Sequence, residues 1–149
     1  MESGEARAVP TKSGPLGTSG EPRGLRRAYG EGSYGKHMKM GLALLRKAPS
    51  RAIAHFQYAL NERPNSVEAL YGVGACLLKL GSPRQAMGYF QKALRVVRDH
   101  GPSLIGMARA QEALGDSVAA KYFYKRYLST QPFGSMAKEA RRALDRLTR

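Results

Sequence analysis

Residues 54–60 read AHFQYAL, residues 88–94 read GYFQKAL and residues 122–128 read YFYKRYL. The three stretches follow one another at intervals of 34 residues, and that register decides the fold. Taken alone, the third looks like a nucleic-acid strip. It packs four aromatic rings around two cations, and aromatic faces stack on bases while Lys and Arg attract phosphates. In register it reads differently. Tyr124 takes the place of Phe56 and Phe90, Leu128 that of Leu60 and Leu94, and Tyr127 that of Ala59 and Ala93. An aromatic recurring at one position of every copy is expected in the core, with Tyr127 packed on a final helix. Only Tyr122, Lys125 and Arg126 are left to face solvent.

The same interval relates Gly81 to Gly115, Ala52 to Ala86 and Ala120, and Pro64 to Pro132 with Arg98 between them. Self-similarity at this period over three copies is the mark of a helical repeat array. Each copy divides into two helices. In the second copy, Asn65-Ser66 can cap a helix over about 67–80, which Gly81-Ser82-Pro83 ends. The next helix carries Ala86, Phe90, Ala93, Leu94 and Val97 at three- and four-residue spacing, which puts them on one face. The third copy repeats this over about 104–114 and 118–129. In the first copy the turn KAPSR is one residue shorter than KLGSPR, so its leading helix, about 36–47, aligns at 33. A last helix from Ser135 carries Met136, Ala140, Ala143, Leu144 and Leu147 on one side. The expected architecture is an all-α helical-hairpin solenoid of about seven helices.

Residues 1–33 are rich in Gly and Pro, with Val9, Leu16, Leu25 and Tyr29 as almost the only large apolar side chains. They cannot bury enough surface to offset ordering entropy and read as a disordered tail. The folded domain is then 34–149, divided into repeats at about 34–66, 67–100 and 101–134 and a capping helix over 135–148. The 149-residue chain has 25 Lys+Arg against 11 Asp+Glu, a net charge of +14. The tail's charges nearly cancel, so the excess lies on the folded part and favours acidic partners. One cysteine, Cys76, excludes an internal disulfide. No leader-like apolar run and no 18-residue apolar stretch occur, so a cytoplasmic location is expected.

These residues resemble the tetratricopeptide (TPR) repeat family. Leu70, Val73-Gly74, Leu77, Gly81, Ala86, Phe90 and Ala93 match its pattern in the second copy. Leu104, Met107-Ala108, Gly115, Ala120, Tyr124 and Pro132 match it in the third, and Met40-Gly41, Ala52, Phe56, Ala59 and Pro64 in the first. Departures are the missing Trp at the first position, Arg98 for Pro and Tyr127 for the second Ala. The resemblance implies a right-handed superhelix whose first helices line a concave groove that binds protein segments without chemistry. Carried over by position, the groove residues are Met38, Leu42, Leu45 and Arg46; Tyr71, Ala75, Leu78 and Lys79; and Ile105, Arg109 and Glu112. Such a surface suits a segment with apolar anchors and acidic residues. Some members clamp a carboxylate-ending chaperone tail with Asn, Lys and Arg. Those places hold Leu42, Gly72, Pro102 and Gly106 here, so that function is not carried over. The run GVGACLLKLG (72–81) also resembles three-repeat chaperones of type III secretion translocators, which are usually acidic. That leaves an adaptor as the leading function, a secretion-type chaperone as one alternative, and polyanion binding as another. The last would use a basic face that includes Arg95, Lys125, Arg126, Arg141 and Arg142.

Enzyme chemistry finds no support in the residues. GEGSYG (30–35) fits G-x-G-x-x-G, but no strand precedes it and no HRD or DFG follows, so it reads as a hinge into the first helix. His37, His55 and His100 share no metal-ligand spacing with Cys76 or a carboxylate, and His55 is expected on the outward side of its helix. No nucleophile and base are paired. No metal, no cofactor and no catalysis are expected.

Overall fold

The computed structural model describes residues 32–149, which form seven α-helices. These are α1 (Gly32–Leu44), α2 (Pro49–Glu62), α3 (Val67–Lys79), α4 (Pro83–Val96), α5 (Gly101–Ala113), α6 (Ser117–Thr130) and α7 (Ser135–Thr148). The described residues contain no strand. None of their helices is long and apolar enough to cross a membrane. Each helix packs on the next, so that α1–α2, α3–α4 and α5–α6 are successive hairpins and α7 closes the series.

Local chemistry sets the helix ends. Ser66 Oγ accepts the Ala69 N–H at 3.2 Å to cap α3, and Asp116 Oδ1 accepts the Ala119 N–H at 2.9 Å to cap α6. Proline opens α2, α4 and α5, where its missing N–H has no intrahelical use. Gly81 (φ 82°) and Gly115 (φ 84°) end α3 and α5 in the left-handed conformation. The Ser82 N–H then reaches the Leu77 carbonyl and the Asp116 N–H the Gln111 carbonyl, each at 2.9 Å. A side chain at either glycine would strain that turn. The expected helix over 104–114 begins three residues earlier, because Pro102 opens it instead of closing the repeat before.

Helices of 13–14 residues are marginal alone, so packing holds the array together. The aromatic of each second helix is the centre of that packing. Phe56 lies between Gly41 of its own hairpin and Gly72 of the next, and Phe90 lies likewise between Gly74 and Gly106. A Cβ on any of the four would stand 2.5–2.8 Å from the ring. In the third hairpin the 34-residue register substitutes Ala108 and Ala140 for the glycines, and both are buried in one cluster with Tyr124. Tyr127 is buried in that cluster too, beside Ala137 and Ala143 of α7. The third heptad is therefore mostly interior, with Tyr122 and Lys125 exposed and Arg126 half-buried.

The first helix departs from expectation. It begins at Gly32, so Gly32–Gly35 is its opening turn and not a hinge, while residues 30 and 31 of that motif lie outside the described residues. Tertiary contacts recruit these residues. The Tyr34 hydroxyl lies 2.8 Å from Ser66 Oγ, the Arg63 guanidinium covers the Tyr34 ring at 4.0 Å, and Ser33 donates to Glu62. Of the expected tail, residues 1–31 lie outside the described residues, and Gly32 and Ser33 belong to α1.

Candidate functional site

The first helices of the hairpins pack against one another, α1 on α3 and α3 on α5, more closely than the second helices do. The layer of first helices is therefore the inside of the curve. Its solvent-facing strip begins with Leu42, 56% exposed, beside half-buried Leu45 and exposed Arg46. It continues through half-buried Tyr71, Ala75 and Leu78 to exposed Lys79. The Tyr71 ring leans on Phe90 at 5.8 Å and meets the edge of His100 at 6.0 Å. Burial pushes the Tyr71 phenol above its ordinary pKa, so it is a neutral hydrogen-bonding group on this surface.

Two expected groove residues are not on it. Met38 (8% exposed) packs with Phe56 and Val73, and Ile105 (1%) with Tyr124 and Ala140. Both side chains serve contacts between hairpins, where the neighbouring helix leaves no room for a partner.

At the third hairpin the groove is tied to α7. Arg109 donates to both carboxylate oxygens of Glu139, at 2.5 and 2.7 Å. Glu112 accepts from the Tyr124 hydroxyl at 2.6 Å and from Arg146 at 2.5 Å. Burial, then the bond to Glu112, push the Tyr124 phenol well above its ordinary range. The contacts of Glu139 and Arg146 with Arg109 and Glu112 were not foreseen, yet the register marks both positions. They stand 34 residues beyond Ile105 and Glu112, so α7 continues the layer as a fourth first helix.

The basic residues are spread over other faces. Arg95, Lys125 and Arg142 are exposed. Arg126 donates to the Arg98 carbonyl at 2.7 Å and pairs with Asp99 at 3.4 Å, and Arg141 donates to the Pro132 carbonyl at 2.5 Å. Arg95 and Arg126 flank a shallow depression between α4 and α6 of about 360 Å³, floored by Leu94, Met107 and Phe123.

The histidines and the cysteine occupy distinct places. Cys76 is fully buried, and burial pushes its thiol up to about 11, leaving a protonated core residue. His100 Nδ1 lies 2.8 Å from Ser103 Oγ at the start of α5. His55 is not an outward residue but a half-buried one, with Nδ1 3.0 Å from Nδ1 of His37. The described residues hold no group of three or more His, Cys, Asp or Glu suited to a metal ion.

Burial holds His100 below the ordinary histidine pKa of 6.5, against the opposing charge of Glu68. His37 is lowered as well, first by burial and then by His55 and Lys36, with Glu62 opposing. An unfolded chain takes up these protons first as pH falls, so stability is full above 6.5 and declines below it. The melting temperature will therefore drop between mildly alkaline and mildly acidic solution, and His100→Asn will flatten part of that slope. A melting temperature that stays level or rises on acidification contradicts this reading.

The profile of a tetratricopeptide repeat matches residues 43–91. Over those residues the chain is similar to the tetratricopeptide repeat (TPR) family. It is a three-repeat TPR solenoid, a right-handed superhelix, with a capping helix. The first TPR of Spaghetti (RPAP3), solved bound to the HSP90 peptide SRMEEVD, superposes at a TM-score of 0.72 with 17% identity over 78% of this chain and 90% of that one. The second TPR domain of human RPAP3, in complex with the HSP70 peptide SGPTIEEVD, gives 0.70 and 15% over 78% and 96%. The Sgt2 TPR domain of Aspergillus fumigatus gives 0.70 and 23% over 77% and 76%. No curated protein sequence matches the chain significantly.

Proposed function

We propose that this TPR array is a non-catalytic adaptor that holds a segment of a partner protein along its concave face, in a cytoplasmic setting. The observation that carries the reading is the open strip on α1 and α3. Apolar Leu42, Leu45, Ala75 and Leu78 adjoin Arg46 and Lys79, for which the described residues supply no ion pair. Apolar anchors flanked by carboxylates would fit it. The RPAP3 TPR domains, solved with HSP90 and HSP70 peptides, support peptide binding by an array of this fold. The same residues argue against a carboxylate-ending tail as the occupant. Gly72 and Gly106 press against Phe56 and Phe90 and offer no side chain at two of the clamp positions.

The test is affinity capture of partners by the full chain and by a Leu42→Glu/Lys79→Glu variant, read by mass spectrometry. Both side chains are exposed, so the fold tolerates the change. Binding of a groove partner should weaken by about 10–100-fold, as when a central contact of an interface is lost. A second reading, polyanion binding through Arg95, Lys125 and Arg142, is favoured by their exposure and by the chain's positive charge. It predicts instead a partner lost on reversing those charges, with steep salt dependence. A partner that ignores the groove variant removes the adaptor reading.

A further inference from the structure

We propose that His37 and His55 form a bis-imidazole site for a divalent transition-metal ion of the copper(II) or nickel(II) class. The repeat register shows that these imidazoles are not required by stacking. His37 stands where the later repeats have Leu70 and Leu104, and His55 where they have Tyr89 and Phe123. Leu70 is 4% exposed and clusters with Leu60 of the preceding hairpin, and Leu104 is 0% exposed in a cluster that Leu94 of the preceding hairpin packs against. Both imidazoles are half-buried and within reach of solvent.

Their geometry converges on one point. One ring comes from α1 and one from α2, with the Nδ1 atoms 3.0 Å apart and the ring centroids at 5.3 Å. Tyr58 stacks on His37 at 4.7 Å and steadies its ring. In the free pair one Nδ1–H donates to the other Nδ1. Shifting that proton to Nε2 leaves two neutral rings whose Nδ1 lone pairs face a single ion. Metal–imidazole bonds are about 2.0–2.1 Å long, so nitrogens 3.0 Å apart subtend roughly 90–97° at the ion. That is the edge of a square-planar or octahedral site and well short of the tetrahedral angle, which favours copper(II) and nickel(II) over zinc. Water fills the remaining positions. The bound ion would tie α1 to α2.

The full chain, titrated with copper(II) sulfate just above neutral pH, should bind one equivalent with two nitrogen couplings in its electron paramagnetic resonance spectrum. Nickel(II) chloride should bind next and zinc chloride more weakly. Either His37→Gln or His55→Gln should weaken copper binding by about tenfold or more, while His100→Gln leaves it unchanged. A readout free of any folding defect comes from the unaltered chain. Substoichiometric copper should broaden the proton signals of His37 and His55 before those of His100. A single-nitrogen spectrum, equal binding by folded His37→Gln, zinc binding tighter than copper, or broadening centred on His100 would each overturn the assignment.

Discussion

Gly106→Val will melt on the order of 10 °C below the unaltered chain, a loss of about 3 kcal/mol. Valine is the better helix former by a few tenths of a kcal/mol, so propensity alone predicts a small gain. Sterics decide otherwise. The first atom added at Gly106 would stand 2.5 Å from the Phe90 ring, and that ring cannot retreat because Gly74 closes on its other face. Overpacking of a filled core typically costs 1–3 kcal/mol and occasionally more, and here no flexible neighbour relieves it. Phe90→Leu in the same chain should recover part of the loss, because a smaller side chain vacates the contested space. Gly88 supplies the opposite case on α4, where an added Cβ meets nothing within 4 Å. Gly88→Ala should stabilise by about 0.5–1 kcal/mol. Thermal unfolding by circular dichroism reads all four chains. If Gly106→Val melts with the unaltered protein, the ring is not clamped between glycines.

Truncation after Gly134 should be at least as damaging. Without α7, Ile105, Tyr124 and Tyr127 lose their cover, having been 1–3% exposed. Each fully buried apolar side chain contributes roughly 1.5–3 kcal/mol, so the sum rivals the whole 5–15 kcal/mol of a folded domain. The third hairpin should lose amide protection first, with dye binding to newly exposed apolar surface. The ion pairs to α7 are a minor part of this. Arg109–Glu139 is half exposed, and such pairs are worth about 0–1 kcal/mol, so Glu139→Gln should scarcely move the melting temperature. Should Glu139→Gln prove as harmful as the truncation, charge and not apolar cover holds the cap. A truncated chain that melts like the intact one would show that α7 is dispensable.

How much of this was legible in advance differs by element. The hairpins of the second and third repeats were readable because periodicity, capping residues and turn glycines agree there. The start of α1 was not. Gly32–Gly35 has little helical propensity of its own, and the partners that order it, Ser66, Arg63 and Glu62, lie about 30 residues away. The groove was legible as a set of register positions. Exposure within the set was not, because whether Met38 or Ile105 faces a partner depends on how close the next helix comes. The same limit hid the His37–His55 contact, which joins two helices across 18 residues with no motif spacing.

A 34-residue recurrence of Ala, aromatic and Ala, punctuated by glycine, by itself determined that this chain is a solenoid of helical hairpins. Local chemistry repeated at fixed spacing permits few other ways to bury one apolar face per helix. Only the tertiary structure decided which of the repeating positions became surface. Burial is a property of neighbours, and the neighbours of Phe90, Glu112 and His37 come from other helices.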